Sequence, residues 1–127
     1  MTFPFDLKLS LVVVRAKLFG PSGSALLRLA LDTGATSTLV DAGMLVALGY
    51  DTALSSRRIQ VTTGSSVEYV PQILLRQIES LGQTRRRMTV LAHTLPPSSS
   101  VDDLLGLDFF RGKKLAIDFT TGRIEVR

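Results

Sequence analysis

An aspartate follows a short alternating segment in the first third of the chain. Asp32 comes after residues 27–31, in which leucines alternate with one arginine and one alanine. This alternation predicts a half-buried strand that delivers a carboxyl group at its end. Such a group is suited to acid–base chemistry but is costly to bury alone. We therefore take Asp32, with the loop residues Thr33, Gly34 and Ala35, as the first candidate for chemistry.

Other reactive side chains are few. Cysteine is absent, which excludes thiol catalysis, thiolate metal sites and disulfides. His93 is the only histidine, and no serine stands in a nucleophile elbow near it, so we interpret it as structural. No glycine-rich nucleotide signature occurs, and Thr33 stands where phosphoaspartate enzymes carry a lysine. We expect no cofactor and no metal.

The chain is basic, with a formal net charge of +4 and a pI near 10. The arginines cluster at Arg57 and Arg58 and again over residues 85–87. A nucleic-acid surface would explain them, but no aromatic residue is interleaved for base stacking. Solvated turns and strand edges are the simpler interpretation, so we expect no nucleic-acid partner.

Length and composition indicate one soluble globular domain spanning residues 1–127. Apolar residues make up 45% of the 127 residues and charged residues 20%, which is typical of a chain with a packed core. No apolar run is long enough to cross a bilayer, so no membrane segment is expected in this chain. Together with the absence of cysteine, this favours a cytoplasmic location.

Short elements separated by glycines run through the sequence. Residues 7–19 and 25–31 are predicted as two strands joined by a glycine-containing turn. Asp41 is the predicted N-cap of a short helix that ends at Gly49 and carries Met44, Leu45 and Leu48 on one face.

The rest of the chain is read mainly as paired strands. Residues 58–61 and 67–70 form a predicted hairpin, and Gly82 divides residues 72–92 into two more strands. Residues 95–100 are predicted as a loop. One helical turn is predicted over 107–111, ended by Gly112, before a final hairpin of residues 114–119 and 123–126. Short strands with two short helices indicate an all-β fold with a closed, barrel-like core.

Two stretches carry a family resemblance. "LALDTGATSTLV" at 29–40, followed by "DLLGLDFFRGKKLAIDF" at 103–119, resembles the retropepsin class of aspartic proteases, including its cellular and bacterial retroviral-like members. The resemblance covers residues 8–127. It implies the retropepsin-like acid protease fold and an aspartic endopeptidase acting on polypeptides.

The chemistry of that class needs two carboxyl groups facing one water molecule. One accepts a proton from the water while the other, protonated, polarises the scissile carbonyl. This chain has one Asp-Thr-Gly sequence and no room for a second lobe. The resemblance therefore implies a homodimer in which Asp32 of each copy contributes to the dyad.

The same resemblance assigns roles to the rest of the loop. Thr33 would hydrogen-bond to the partner loop across the dimer axis, and Gly34 would allow close approach of the two backbones and tolerate a positive φ. Ala35 lacks the hydroxyl of the D-T-G-S variant, so we expect a less acidic pair and an activity optimum at mildly acidic or neutral pH.

Substrate contacts are predicted from a flap and from apolar walls. Residues 61–69 resemble the flap hairpin, in which Thr63, Gly64 and Ser65 would pair with an extended peptide. Apolar side chains should flank the cleaved bond, and the candidate wall residues are Leu31, Val61, Leu104 and Leu105.

The remaining acids are interpreted as structural. Asp108 is expected to brace a loop or start a helix, and the other acids near the C-terminus are read as solvated or turn positions: Asp102, Asp103, Asp118 and Glu125. Phe109 and Phe110 are expected in core and dimer packing. The sequence leaves open how the terminal segments contribute to a dimer.

Two rival functions stay open. One is a catalytically inactive retropepsin-fold module for dimerisation or peptide binding, and the other is a basic nucleic-acid-binding β domain.

Overall fold

The computed structural model describes residues 1–52, 58–62, 67–93 and 101–127, with backbone alone described for 58–62 and 67–68. The predicted loop at 95–100 and the flap residues Thr63, Gly64 and Ser65 lie outside these ranges. The described strands are β1 (Thr2–Pro4), β2 (Val13–Gly20), β3 (Gly23–Leu31), β4 (Leu39–Asp41), β5 (Arg58–Thr62), β6 (Val67–Ser80), β7 (Gln83–His93), β8 (Asp103–Leu105), β9 (Leu115–Asp118) and β10 (Arg123–Val126). The described helices are α1 (Ala42–Ala47) and α2 (Leu107–Phe110).

Six strands close into a barrel, in the order β2-β3-β8-β4-β7-β6, and the pairing of β2 with β6 completes the ring. Strand β5 pairs outside the ring with the first part of β6. The all-β, barrel-like fold predicted from the sequence is therefore confirmed.

Alternating side chains fill the barrel. Val14, Ala16 and Leu18 on β2 are buried, whereas the intervening Arg15 and Lys17 are exposed. Strand side chains point alternately to the two faces of a sheet, so this pattern places one face of β2 in the core. The same pattern continues over residues 26–29 of β3 and 73–76 of β6.

The start of the first long strand differs from the prediction. Leu7, Leu9 and Leu11 are 43–49% exposed and precede β2, which begins at Val13. The Asp6 carboxylate accepts a hydrogen bond from the Lys8 backbone at 2.9 Å, and its carbonyl accepts one from the Leu9 N–H. This local turn competes with extended pairing, although the leucines alternate as they would in a strand.

Predicted turns and caps are observed where the sequence placed them. Asp41 caps α1 by accepting a hydrogen bond from the Met44 N–H at 3.1 Å, and Gly49 follows the helix with φ of 96°. Leu81 and Gly82 both have positive φ, 53° and 72°, at the turn between β6 and β7. Two consecutive left-handed residues suit a tight hairpin.

Both ends of the chain meet in a second sheet, of order β1-β10-β9. Thr2 pairs with Glu125 and Phe3 with Ile124, so the N-terminal segment lies beside the C-terminal strand of the same chain. The sequence had left this arrangement open. Within the described ranges, no helix has the length and apolarity needed to cross a membrane.

Candidate active site

The Asp32 loop begins where β3 leaves the barrel. The Asp32 N–H donates to the Leu105 carbonyl at 2.9 Å, and the Leu31 N–H donates to the Val12 carbonyl at 2.8 Å. These bonds hold the loop entrance between β2 and β8. The position of the Asp32 backbone is thus set by strands on both sides.

The loop turns tightly around the Asp32 carboxylate, which is partly exposed. Its Oδ1 atom accepts a hydrogen bond from the Gly34 N–H at 2.9 Å, and the Asp32 carbonyl accepts one from the Ala35 N–H at 3.1 Å. The first bond fixes the direction of the carboxylate. Thr33 and Gly34 are exposed at the tip of the turn.

Gly34 is required by space and not by an unusual φ. Its φ is outside the left-handed region, unlike that of five other glycines. A Cβ atom at Gly34 would lie 3.2 Å from Asp32 Oδ1. A side chain would therefore crowd the carboxylate of the same chain. The positive φ is not observed, and the predicted approach of two backbones, which involves a second copy, stays a prediction.

The distal motif packs directly against this loop. A Cβ atom at Gly106 would lie 2.7 Å from the Ser37 carbonyl carbon and 2.8 Å from the Ala35 oxygen. The next residue, Leu107, donates its N–H to the Ala35 carbonyl at 2.8 Å. Only glycine fits this contact between two backbones.

Asp108 braces the loop, as predicted. Its carboxylate accepts hydrogen bonds from the Thr38 N–H at 2.9 and 3.0 Å and from Thr38 Oγ1 at 2.7 Å. Thr38 Oγ1 in turn accepts the Gly106 N–H at 3.1 Å, and Thr38 is fully buried. The three residues form one network that joins the two sequence motifs.

Thr38 was missed by the sequence analysis. The sequence signal for Thr38 is its position: a residue with a side-chain hydroxyl directly precedes the short apolar strand β4. Asp108, which is distant in the sequence, has a carboxylate that needs a hydrogen-bond donor. An acid near the end of an apolar run is a cue to look for such a partner.

Asp103 corrects a sequence prediction. It was read as a solvated or turn residue, but it is completely buried on β8. Its Oδ1 accepts the Asp41 N–H at 2.5 Å, and Oδ2 has no hydrogen-bond partner among the described residues. Burial raises the pKa of Asp103 to about 7; the Asp41 N–H opposes this shift, whereas the charges of Asp102 and Asp41 add to it.

The other acids agree better with the prediction. Asp102 is exposed and accepts the Arg28 N–H at 3.2 Å. Asp118 is exposed in the final hairpin, where hydrogen bonds from Thr120 and Thr121 lower its pKa. Glu125 is partly exposed and forms an ion pair with Arg127.

The predicted wall residues divide into two groups. Leu31 and Leu104 are partly exposed on adjacent strands beside Asp32. Leu105 is fully buried in the core, so its side chain does not line a surface of the subunit, and its prediction as a wall residue is wrong for the isolated chain. The Val61 side chain lies outside the described part of the structure.

Two other predictions concern the aromatic and histidine residues. Phe109 and Phe110 are buried and pack edge to face with ring centroids 5.2 Å apart, which confirms core packing. His93 ends β7 opposite Asp41. Among the described residues, no group of three potential ligands could hold a metal.

Part of the second arginine cluster is used within the subunit. Arg85 donates from Nε to the Phe109 carbonyl at 3.0 Å and from Nη2 to the Arg111 carbonyl. These acceptors lie at the C-terminal end of α2, where positive charge is favourable. Arg86 donates to Gln77 Oε1 at 3.3 Å.

A groove of about 1040 Å³ lies away from the Asp32 loop. It is bounded by the N-terminal segment, by β2 and β3, and by the β6–β7 turn, and none of its lining residues belongs to residues 32–35. Asp32 therefore lies at the surface of the chain and outside this groove.

A closed barrel that presents an Asp-Thr-Gly loop, braced from behind by a Leu-Leu-Gly-Leu-Asp segment, defines a retropepsin-like aspartic protease domain. The family described as "gag-polyprotein putative aspartyl protease" matches residues 23–112. The chain belongs to this family.

A solved structure supports the fold. The chain is similar to the crystal structure of a retropepsin-like aspartic protease from Rickettsia conorii, with a TM-score of 0.72 and 16% sequence identity, over 99% of this chain and 89% of that one. At this identity the similarity shows a shared architecture. No curated protein sequence matches the chain significantly.

Proposed function

We propose that this protein is an aspartic endopeptidase that hydrolyses peptide bonds in polypeptides as a homodimer. The observation that carries the proposal is the support of Asp32: a single, partly exposed carboxylate held by the Gly34 N–H at the end of β3. The loop behind it is fixed by the network of Thr38, Gly106 and Asp108. Such preorganisation is expected of a catalytic group.

The reaction requires a second carboxyl group, which the second copy would supply. The ionised Asp32 accepts a proton from a water molecule as the water oxygen attacks the scissile carbonyl carbon. The protonated Asp32 of the partner subunit donates its proton to the carbonyl oxygen, giving a neutral tetrahedral intermediate. Proton transfer to the amide nitrogen then lets the C–N bond break, and no covalent enzyme intermediate forms.

Exposure of the loop tip supports the requirement for two copies. Thr33 and Gly34 are exposed in one chain, where a partner loop would cover them. In this arrangement Thr33 hydrogen-bonds across the two-fold axis. The cleft is then bounded by both copies.

The substrate we propose is an extended polypeptide with apolar side chains around the cleaved bond. Leu104 supports this choice, because it is partly exposed on β8 and pairs with Ala30, two residues before Asp32. Residues 63–65 are proposed to close over the substrate as a flap. Backbone pairing would supply affinity, and the leucine walls would supply selectivity.

Cleavage of a peptide library by wild type and by Asp32→Asn tests the function. The amide keeps the size of the side chain but cannot serve as the general base, so cleavage should be lost. Asp102→Asn is the matched control, because Asp102 is an exposed acid remote from the loop tip, and it should keep activity. Peptide binding without cleavage by wild type would instead support an inactive module, and salt-sensitive oligonucleotide binding that Asp32→Asn leaves unchanged would support a nucleic-acid-binding domain.

A further inference from the structure

The outer face of β2 and β3 carries cations beside a leucine. Arg15 lies opposite Arg28, and Lys17 lies opposite Leu26, in the antiparallel pairing of the two strands. All four residues are exposed, and all four line the groove that lies away from the Asp32 loop. Like charges directly across two strands repel each other, so the pair of arginines is unfavourable in the chain by itself.

The hydrogen-bond pattern brings Arg15 and Arg28 close together. The Leu31 N–H donates to the Val12 carbonyl, and hydrogen-bonded pairs alternate along an antiparallel ladder. Arg15 and Arg28 therefore form a non-hydrogen-bonded pair, in which the Cα atoms are only about 4.5 Å apart. Asp102 lies on the Arg28 side, where its Oδ2 atom accepts the Arg28 backbone N–H at 3.2 Å. An anion between the two guanidinium groups would turn the remaining repulsion into attraction.

The acids that line the groove are engaged elsewhere. Glu79 faces Lys17 across the pairing of β2 with β6, and the Asp6 carboxylate accepts a backbone N–H within the N-terminal turn. Among the described residues, the Arg15 guanidinium has no hydrogen-bond or ion-pair partner. Arg15 is therefore the cation in this groove that has most to gain from an anionic ligand.

Apolar side chains surround this cation. Leu26 is 62% exposed on β3, and Leu9 of the N-terminal turn is 45% exposed. Both line the groove, together with the partly buried residues Phe3 and Phe5. Large apolar side chains that remain exposed around one groove are typical of a binding surface. The groove thus offers an anion site with apolar contacts beside it.

We propose that this groove binds an extended polypeptide segment in which an acidic residue has a large apolar residue two positions away on each side. Side chains two residues apart in a strand lie on one face, about 6.8 Å apart, which is the relation of Leu26 to Arg28 along β3. The acidic side chain lies between Arg15 and Arg28 and accepts charge-assisted hydrogen bonds. The apolar side chains pack against Leu26 and Leu9.

The exposure of the lining residues favours a polypeptide over a small amphipathic anion. Small-molecule sites enclose most of their ligand, whereas Arg15, Leu26 and Arg28 are exposed along the groove. The volume of about 1040 Å³ is at the upper end of the range for small-molecule sites. Residues 32–35 lie outside the groove, so the segment bound there is not the one that is cleaved. Binding at the groove is independent of cleavage, and only its use as a second substrate contact rests on the proposed function.

Fluorescence anisotropy with labelled peptides tests the ligand class. The protein is the Asp32→Asn chain, which should bind peptide without cutting it. The peptide Leu-Ser-Glu-Ser-Leu should bind about fivefold or more tightly than Leu-Ser-Gln-Ser-Leu, and added salt should weaken its binding. Equal affinity for the two peptides would overturn the proposal. Decanoate that binds more tightly than the acidic peptide, and displaces it, would identify a lipid site and reject a polypeptide ligand.

Matched variants of the Asp32→Asn chain test the location. Arg15→Gln and Leu26→Ser should each weaken binding of the acidic peptide by about fivefold or more. Arg76→Gln and Leu74→Ser are the controls and should not change it, because these residues are exposed two positions apart on β6 and lie outside the groove. Circular dichroism verifies that each variant folds. Folded groove variants that bind as tightly as the controls would show that the peptide binds elsewhere.

Cleavage by the chain with Asp32 intact separates this inference from the proposed function. For a long substrate that carries Leu-Ser-Glu-Ser-Leu away from the cleaved bond, Arg15→Gln should raise KM and leave kcat unchanged. A short substrate without that segment should be cleaved as by wild type. Peptide binding that depends on Arg15, with no cleavage of any substrate, would uphold the groove and reject the endopeptidase. Cleavage that depends on Asp32, with no effect of Arg15 on binding or KM, would reject the groove and uphold the endopeptidase.

Discussion

Thr38 and Asp108 are joined by hydrogen bonds across 70 residues of sequence. Both the backbone N–H and the hydroxyl of Thr38 donate to the same carboxylate, and the hydroxyl also accepts the Gly106 N–H. One buried side chain thereby connects the Asp32 loop to the segment that supports it. Stability and activity should both depend on this contact.

Replacing Thr38 should separate the role of the hydroxyl from that of the side-chain shape. Thr38→Val leaves the buried Gly106 N–H without its acceptor and removes the hydroxyl donor to Asp108, which keeps only the Thr38 backbone N–H, so we expect the free energy of unfolding to fall by about 2–3 kcal/mol. Thr38→Ser keeps the hydroxyl and loses one methyl group, at a cost of about 1 kcal/mol. Urea denaturation measures the unfolding free energy of both variants. If Thr38→Val and Thr38→Ser are destabilised equally, the hydrogen-bond network is not the source of the stability.

Gly106→Ala should be strongly destabilising. The new methyl group would lie within 2.8 Å of backbone atoms of Ser37 and Ala35, and relief requires the Asp32 loop to move. We expect a loss of about 3 kcal/mol in unfolding free energy and loss of cleavage. Gly43→Ala, within α1, is the comparison: its new methyl group would lie 3.1 Å from the Asp41 side-chain oxygen and not against backbone, and alanine favours helix, so its effect on the unfolding free energy should be much smaller than that of Gly106→Ala. A fully active Gly106→Ala protein would show that the close contact is not needed.

Asp103 should make stability depend on pH. Its pKa is raised to about 7 in the folded protein, so the folded state keeps a proton that the unfolded chain releases at lower pH. The unfolding free energy should therefore fall as pH rises from about 4 to about 7, by at most about 1.4 kcal/mol per pH unit, and the loss should level off above that range. Asp103→Asn cannot ionise and should remove this slope.

Denaturation at several pH values, with Asp102→Asn as the matched control, measures the Asp103 effect. Asp102→Asn should keep most of the slope, because the burial of Asp103 is its main cause. A wild-type slope that survives in Asp103→Asn would assign the dependence to other groups.

Ala35→Ser should shift the acidic limb of the cleavage pH profile. A hydroxyl that donates to a carboxylate favours its ionised form, so we expect this limb to move to lower pH. Ala47→Ser, at an exposed position of α1, should leave the profile unchanged. A wild-type optimum as acidic as that of gastric-type proteases would contradict the premise that Ala35 leaves the pair less acidic.

Local signals predicted much of the fold. Alternation placed the β3 strand that leads to Asp32, Gly82 marked the turn between β6 and β7, and Asp41 marked the start of α1. Each depends on a few neighbouring residues, whose conformational preferences are strong enough to be read without the rest of the chain.

Long-range contacts explain what could not be predicted. Strand β8 has three residues, too few to reveal alternation, so only its position between β3 and β4 shows that Asp103 points inward. The leucines at 7–11 alternate like a strand, but the Asp6 turn and the pairing of β1 with β10 direct that segment elsewhere. Thr38 has a role only because Asp108 and Gly106 fold against it.

The parallel pairing of β3 with β8 also has a consequence for biosynthesis. On one side residues 29–31 lie beside β2, but on the other side their partners are residues 103–105, and loop closure over such a separation is slow relative to local folding. A nascent chain that has exposed Asp32 on the ribosome therefore lacks one of the strands that order it until residues 103–105 have emerged. The order of the Asp32 loop is in this way delayed relative to its synthesis.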